Sequence, residues 1–121
     1  MMNTFHIKFP LTGEGEYLTT VRLTTGGICA LANFDVDSAE DFKVCVTESL
    51  LILKRNGYQA AEIEYTIGEQ LGCKITGFNA GELPQESIED EISYALLNAL
   101  LGKVEFTQHD GGRVETIAFE A

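Results

Sequence analysis

Long hydrophobic runs are missing from this 121-residue chain. No apolar stretch approaches the ~20 residues that a membrane-spanning helix requires, so no membrane span is expected. The N-terminus, Met1-Met-Asn-Thr-Phe5, leads directly into a strand-like segment and lacks the apolar core of a secretory signal. Basic residues are scarce: 8 Lys and Arg face 19 Asp and Glu, giving a net charge of −11. Binding to nucleic acid or anionic lipid depends on neutralising phosphates with cations, and the few cations here are scattered rather than striped. Neither partner is expected, and the charge itself favours solubility. Histidine is limited to His6 and His109, each in a strand pattern without a second ligand at metal spacing, so no metal site is expected. The cysteines (Cys29, Cys45, Cys73) are odd in number, far apart and without C-x-x-C spacing. They read as reduced core thiols of a cytoplasmic protein. Neither histidine has a reason to approach one of them as a nucleophile's base.

What is present is an ordinary globular composition, 45% hydrophobic and 22% charged. The length suits one domain over residues 1–121, large enough to bury a core without staples. No linker, repeat or low-complexity segment divides it.

Phe5-His-Ile-Lys-Phe9 alternates apolar with polar and ends at Pro10, which predicts a first strand. After a turn at Leu11–Gly15, Glu16–Ala32 carries Leu18, Val21, Ile28 and Leu31 at helical spacing. Gly26-Gly27 weakens that helix by roughly 1 kcal/mol per glycine but allows a neighbour to pack closely. In the second helix, Asp37 or Ser38 caps the start, with Asp41 completing a capping box. Phe42, Cys45, Val46, Ser49, Ile52 and Leu53 share one face. Lys54 and Arg55 suit the C-terminal end of its dipole, and Asn56-Gly57 ends it. Ala61–Ile67 alternates Ile63, Tyr65 and Ile67 against Glu62, Glu64 and Thr66, turns at Gly68–Gly72 and returns over Cys73–Phe78: a hairpin with one wet face. Asn79–Pro84 reads as a loop. A third helix from Gln85 or Glu86 to Leu101 places Ile88, Ile92, Ala95, Leu96, Ala99 and Leu100 inward. Lys103–His109, the turn Asp110–Gly112 and Arg113–Phe119 form a last hairpin. Strand, helix, helix, hairpin, helix, hairpin predicts an α+β fold: a two-layer α/β sandwich, its mostly antiparallel sheet of about five strands covered on one face by three helices.

Three stretches carry a resemblance: Glu16-Tyr-Leu-Thr-Thr-Val-Arg-Leu-Thr, Asp41-Phe-Lys-Val-Cys-Val-Thr-Glu48-Ser, and Tyr94-Ala-Leu-Leu-Asn-Ala-Leu-Leu-Gly-Lys-Val-Glu-Phe followed by Gly111-Gly-Arg-Val-Glu-Thr-Ile. In this order they resemble the anti-sigma-factor serine kinases of the histidine-kinase-like ATPase superfamily, the Bergerat fold, over nearly the whole chain. Three boxes hold the nucleotide in that family. The first pairs a glutamate that activates a hydroxyl with an asparagine that binds magnesium. Here these positions are Glu48 and Ile52, and an alkyl group ligates no cation. Asn56 lies a further turn, about 6 Å, along the axis.

The second box reads adenine through an aspartate. The matching Lys74–Gly81 has none, and Asn79-Ala80-Gly81 is either a remnant of it or a plain turn. The third opens a helix with phosphate-binding N–H groups, and here Glu86, Glu89, Asp90 and Glu91 occupy that place. They complement the helix dipole themselves and repel a nucleotide; a solvated first turn accounts for them better than a cation site.

The resemblance therefore implies a non-catalytic regulatory protein-interaction module, with ATP turnover lost and no cofactor. The partner it implies is a regulatory protein such as a sigma factor, its antagonist or another signalling domain, and homodimerisation through the sheet side is expected. The alternative is an Mg-ATP-binding serine kinase or ATPase with an atypical site, Glu48 catalytic and Asn79 and Gly81 binding nucleotide.

Overall fold

The computed structural model describes residues 3–11, 15–81, 88–101, 103–109 and 113–121, without the side chains of 88–90 and 109. Eight elements follow in chain order: β1 (Asn3–Pro10), α1 (Tyr17–Leu31), α2 (Val36–Arg55), β2 (Tyr58–Ile67), β3 (Leu71–Ala80), α3 (Ile88–Leu100), β4 (Val104–His109) and β5 (Arg113–Glu120). The five strands form one sheet in the order β1-β2-β3-β5-β4, antiparallel at every pairing. This is the expected two-layer α+β sandwich.

Alternation decides which side of each strand is buried. Ile63 and Tyr65 of β2, Cys73 and Ile75 of β3, and Ile117 and Phe119 of β5 point under the helices. The opposite face carries charges and threonines. Across its β1–β2 edge His6 Nδ1 lies 3.2 Å from Glu62 Oε1, and Lys8 sits 5.2 Å above the Phe78 ring. Helix α2 is the middle of the helical layer. It contacts β2, β3 and β5 below and has α1 and α3 at its sides. Phe42, Cys45, Val46, Ser49, Leu50, Ile52 and Leu53 are all buried on it, so the face read from spacing holds. Helix α1 is tied down by a buried bond between Thr25 Oγ1 and Tyr65 Oη of 2.6 Å. Tyr94 of α3 meets Phe106 edge-on at 5.0 Å. The three cysteines are buried free thiols in this core, as expected.

Four details differ from the sequence reading. The cap of α2 is Asp35, whose Oδ1 accepts from the Ser38 N–H at 2.7 Å, rather than Asp37 or Ser38. The helix thus starts earlier, and Asp37 becomes a first-turn residue favoured by the dipole. On α1, Leu31 is exposed, and Thr25 and Cys29 take buried places. On α3 the inward face is turned: Ser93 and Leu97 are buried with the adjoining Leu101, while Ile92, Ala95 and Ala99 are exposed; of the expected set Leu96 is half-buried and Leu100 packs against the core, and the side chain of Ile88 lies outside the description. The hairpin arms are also longer than the alternation suggested, so Asn79 and Ala80 close β3 and are not loop. The helix start at Gln85 or Glu86, Glu86 itself, the rest of the Asn79–Pro84 loop beyond Gly81, and the Asp110–Gly112 turn lie outside the described residues.

Candidate functional site

Glu48, Ile52 and Arg55 follow one another along α2 at i, i+4 and i+7, the spacing that lines side chains up on one helix surface. Helix α3 lies against that line. Arg55 Nη2 donates to Ser93 Oγ at 2.6 Å, and Ser93 Oγ donates to Glu48 Oε2 at 2.7 Å. One serine hydroxyl, nearly inaccessible to solvent, thus bridges a carboxylate and a guanidinium two helical turns apart. Bonds with an ionised partner are the stronger kind, contributing about 1.5–3 kcal/mol each where shielded. The bridge spans the α2–α3 junction, and Ile52 between its two ends is fully buried.

Asn56 is equally occupied. Its Nδ2 donates back to the Ile52 carbonyl at 2.7 Å, and its Oδ1 accepts from the Val114 N–H at 3.1 Å. The amide both closes the end of α2 and fastens β5 to it.

The second group of candidate residues is held separately. Asn79 is exposed at the end of β3 with φ of 58°, a left-handed conformation that asparagine tolerates better than most residues. Gly81 has both backbone groups engaged: its N–H donates to the Gly57 carbonyl at 2.7 Å, and its carbonyl accepts from Arg113 Nη2 at 2.8 Å. Arg113 also lies 5.6 Å from the centre of the Tyr58 ring. Among the described residues no hydrogen bond joins Glu48 to Asn79 or Gly81. The structure therefore brings Glu48 together with Ser93 and Arg55, and Gly81 with Gly57 and Arg113, as two distinct clusters.

Depressions mark the surface of the described residues. One, of about 1300 Å³, lies beside the β2–β3 turn and is lined by Glu64, Lys74, Lys103, Glu105 and Glu120 among others. Another, of about 340 Å³, runs between α1 and α2 past Arg22, Glu40, Lys43, Val44, Thr47 and Glu48. Ile52, Asn79 and Gly81 line neither. No group of three or more His, Cys, Asp or Glu among the described residues is arranged to hold a metal ion. Of the acidic cluster at the start of α3, the side chain of Glu91 is described and is exposed.

Ser93 and Arg55 are the functional-region residues that spacing missed. A signal was available: Ser93, Leu97 and Leu101 form their own four-residue row, with a hydroxyl at a core position that demands a polar partner. No protein-family model and no curated protein matches this chain.

Proposed function

We propose that this chain is a non-catalytic, regulatory protein-interaction module of the cytoplasm. It uses a scaffold similar to that of the anti-sigma-factor serine kinases, in which the grip on ATP has been lost. One observation carries the reading. The α2 position that would present a magnesium ligand is a fully buried isoleucine, Ile52, and the neighbouring Glu48 carboxylate is taken up by Ser93.

The residues present do not fit Mg-ATP. An isoleucine sealed in the core offers no oxygen to a hard cation. Asn56, the nearest amide along the helix, spends both its oxygen and its nitrogen on backbone groups. The Gly81 N–H, which would have to turn to a ligand, is bonded to Gly57.

The retained purpose is recognition, with a sigma factor or its antagonist as the partner class that the resemblance suggests. The charge supports this indirectly, because a −11 surface selects against nucleic acid and anionic membranes. No helix among the described residues is long and apolar enough to cross a membrane.

The discriminating experiment is thermal unfolding with and without millimolar Mg-ATP. A ligand at about a hundred times its dissociation constant adds about 2.7 kcal/mol to stability, so a bound nucleotide is easily seen. We expect no shift. A clear rise in the midpoint that Glu48→Ala abolishes overturns the proposal in favour of an ATP-binding enzyme. Affinity capture tests the positive half: a sigma factor or its antagonist is expected on the immobilised chain, and recovery of no specific partner counts against it.

A further inference from the structure

Of the five asparagines in this chain, Asn56 alone stands before a glycine; Thr4, Phe34, Ala80 and Ala99 follow the others. That neighbour has a chemical consequence. A backbone nitrogen that follows asparagine can attack the side-chain amide carbon and close a five-membered ring. Glycine brings the nitrogen there without a side chain in the way.

The fold holds this reaction off. Asn56 has ψ of 4°, which turns the Gly57 nitrogen away from its Cγ. The peptide plane is rigid, so ψ must rotate before the two can meet. Four hydrogen bonds resist that rotation. Two hold the amide itself: Nδ2 donates to the Ile52 carbonyl at 2.7 Å, and Oδ1 accepts from the Val114 N–H at 3.1 Å. The others hold Gly57. Its N–H, the nucleophile of the reaction, donates to the Lys54 carbonyl at 3.0 Å, and its carbonyl accepts from the Gly81 N–H at 2.7 Å. Val114 is the second residue of β5, and Gly81 directly follows β3. Both clamps from outside α2 thus sit at strand ends, where local opening costs least.

We infer that Asn56 is a deamidation site gated by the junction of α2 with β5. When the junction opens, the Gly57 nitrogen gives its proton to solvent and bonds to Asn56 Cγ. The Cγ–Nδ2 bond breaks, and Nδ2 takes a proton from water and leaves as ammonia. A water molecule then opens the ring, adding its hydroxyl to one of the two ring carbonyl carbons and returning a proton to the nitrogen. Attack at Cγ leaves aspartate in place of Asn56. Attack at the main-chain carbon leaves iso-aspartate, with the chain running through Cβ and Cγ.

Neither product rebuilds the junction. A carboxylate oxygen where Nδ2 stood opposes acceptor to acceptor, 2.7 Å from the Ile52 carbonyl. Iso-aspartate lengthens the main chain at the point where Gly57 must reach both Lys54 and Gly81. The new charge also lies at the C-terminal end of α2, where the dipole disfavours an anion; Lys54 and Arg55 in the last turn offset part of that cost. A transient opening is thereby recorded as a one-way covalent change.

Peptide mapping by mass spectrometry tests this on the full chain, incubated at mildly alkaline pH in native buffer, in urea below the unfolding transition, and in urea above it. In the unfolded chain Asn56 should convert ahead of the other four asparagines. In the folded chain it should convert at least ~10-fold more slowly, about 1.4 kcal/mol of opening free energy. Below the transition its rate should follow hydrogen exchange of the Val114 N–H. The converted chain, separated by its added charge and returned to native buffer, should exchange that N–H faster and melt at a lower temperature. A folded chain that converts as fast as the unfolded one overturns the inference. So does a conversion rate that stays flat while Val114 exchange rises, or a converted chain with unchanged exchange and midpoint.

Discussion

The ring of Tyr58 occupies the space that a side chain at position 77 would need: a Cβ on Gly77 would stand 2.5 Å from Tyr58 Cγ. The requirement is steric, since Gly77 is not among the residues with positive φ. Gly77→Ala must displace a buried ring on which Arg113 rests. Overpacking of this kind costs about 1–3 kcal/mol, and a lower urea midpoint at unchanged slope is the expected result. The alternation of Cys73–Phe78 located the strand, but nothing in it marked Gly77 as irreplaceable, because Tyr58 is nineteen positions away in sequence. Asn56 shows the same limit. Its place before Gly57 announced a helix end, whereas its second bond, to the Val114 N–H, depends on a strand far along the chain.

Elements dock through few but specific polar contacts, and the α2–α3 junction is the clearest. Removing the bridging hydroxyl with Ser93→Ala leaves Glu48 without its donor and takes an acceptor from Arg55. A buried group deprived of its partner costs about 1–3 kcal/mol, and the half-buried Glu48 and Arg55 place this loss at the lower end of that range. Chemical denaturation should show a loss in that range, and hydrogen exchange should show it concentrated in α3. At the other end of α2, Asp35→Ala removes the cap bonded to the Ser38 N–H, so the thermal midpoint is expected to fall. That same N–H bond, followed by the bond to the Ser38 side chain, holds the Asp35 carboxyl below its ordinary range. Its contribution is therefore present above the usual carboxylate pKa and is lost as pH falls through the lowered value. The difference in stability between wild type and Asp35→Ala should narrow on acidification.

At the scale of the whole molecule, the core holds groups that resist ionisation. Burial, reinforced by Asp41 and Glu48, pushes the Cys45 thiol from 9.0 up to about 12. Burial also raises Cys73, Cys29 and Tyr65. In the unfolded chain the thiols ionise near their ordinary value, so between that value and the raised one the unfolded state holds fewer protons. Stability is thus complete below about pH 9 and falls as pH rises toward 12. Each affected thiol contributes up to about 1.4 kcal/mol per pH unit to the slope. Urea midpoints measured across that window should decline steeply, and Cys45→Ala should flatten the decline.

The sequence by itself determined the element order, the buried face of α2, the wet and dry sides of the central hairpin, and the placement of all three cysteines inside. These follow from periodicity, which a chain imposes on itself: apolar residues recurring every two or every 3.6 positions leave one side to bury. It also placed Glu48 and Ile52 one turn apart, because both belong to a single helix. Only the tertiary structure decided what that pair faces. The rotation of α3 that exposes Ile92 and buries Ser93 left only the Ser93-Leu97-Leu101 row as a trace, outweighed by the apolar residues on the other side of the helix. The side that faces α2 is the one whose Ser93 hydroxyl meets Glu48 and Arg55, 45 and 38 positions away, two half-buried charges that no local pattern in α3 announces.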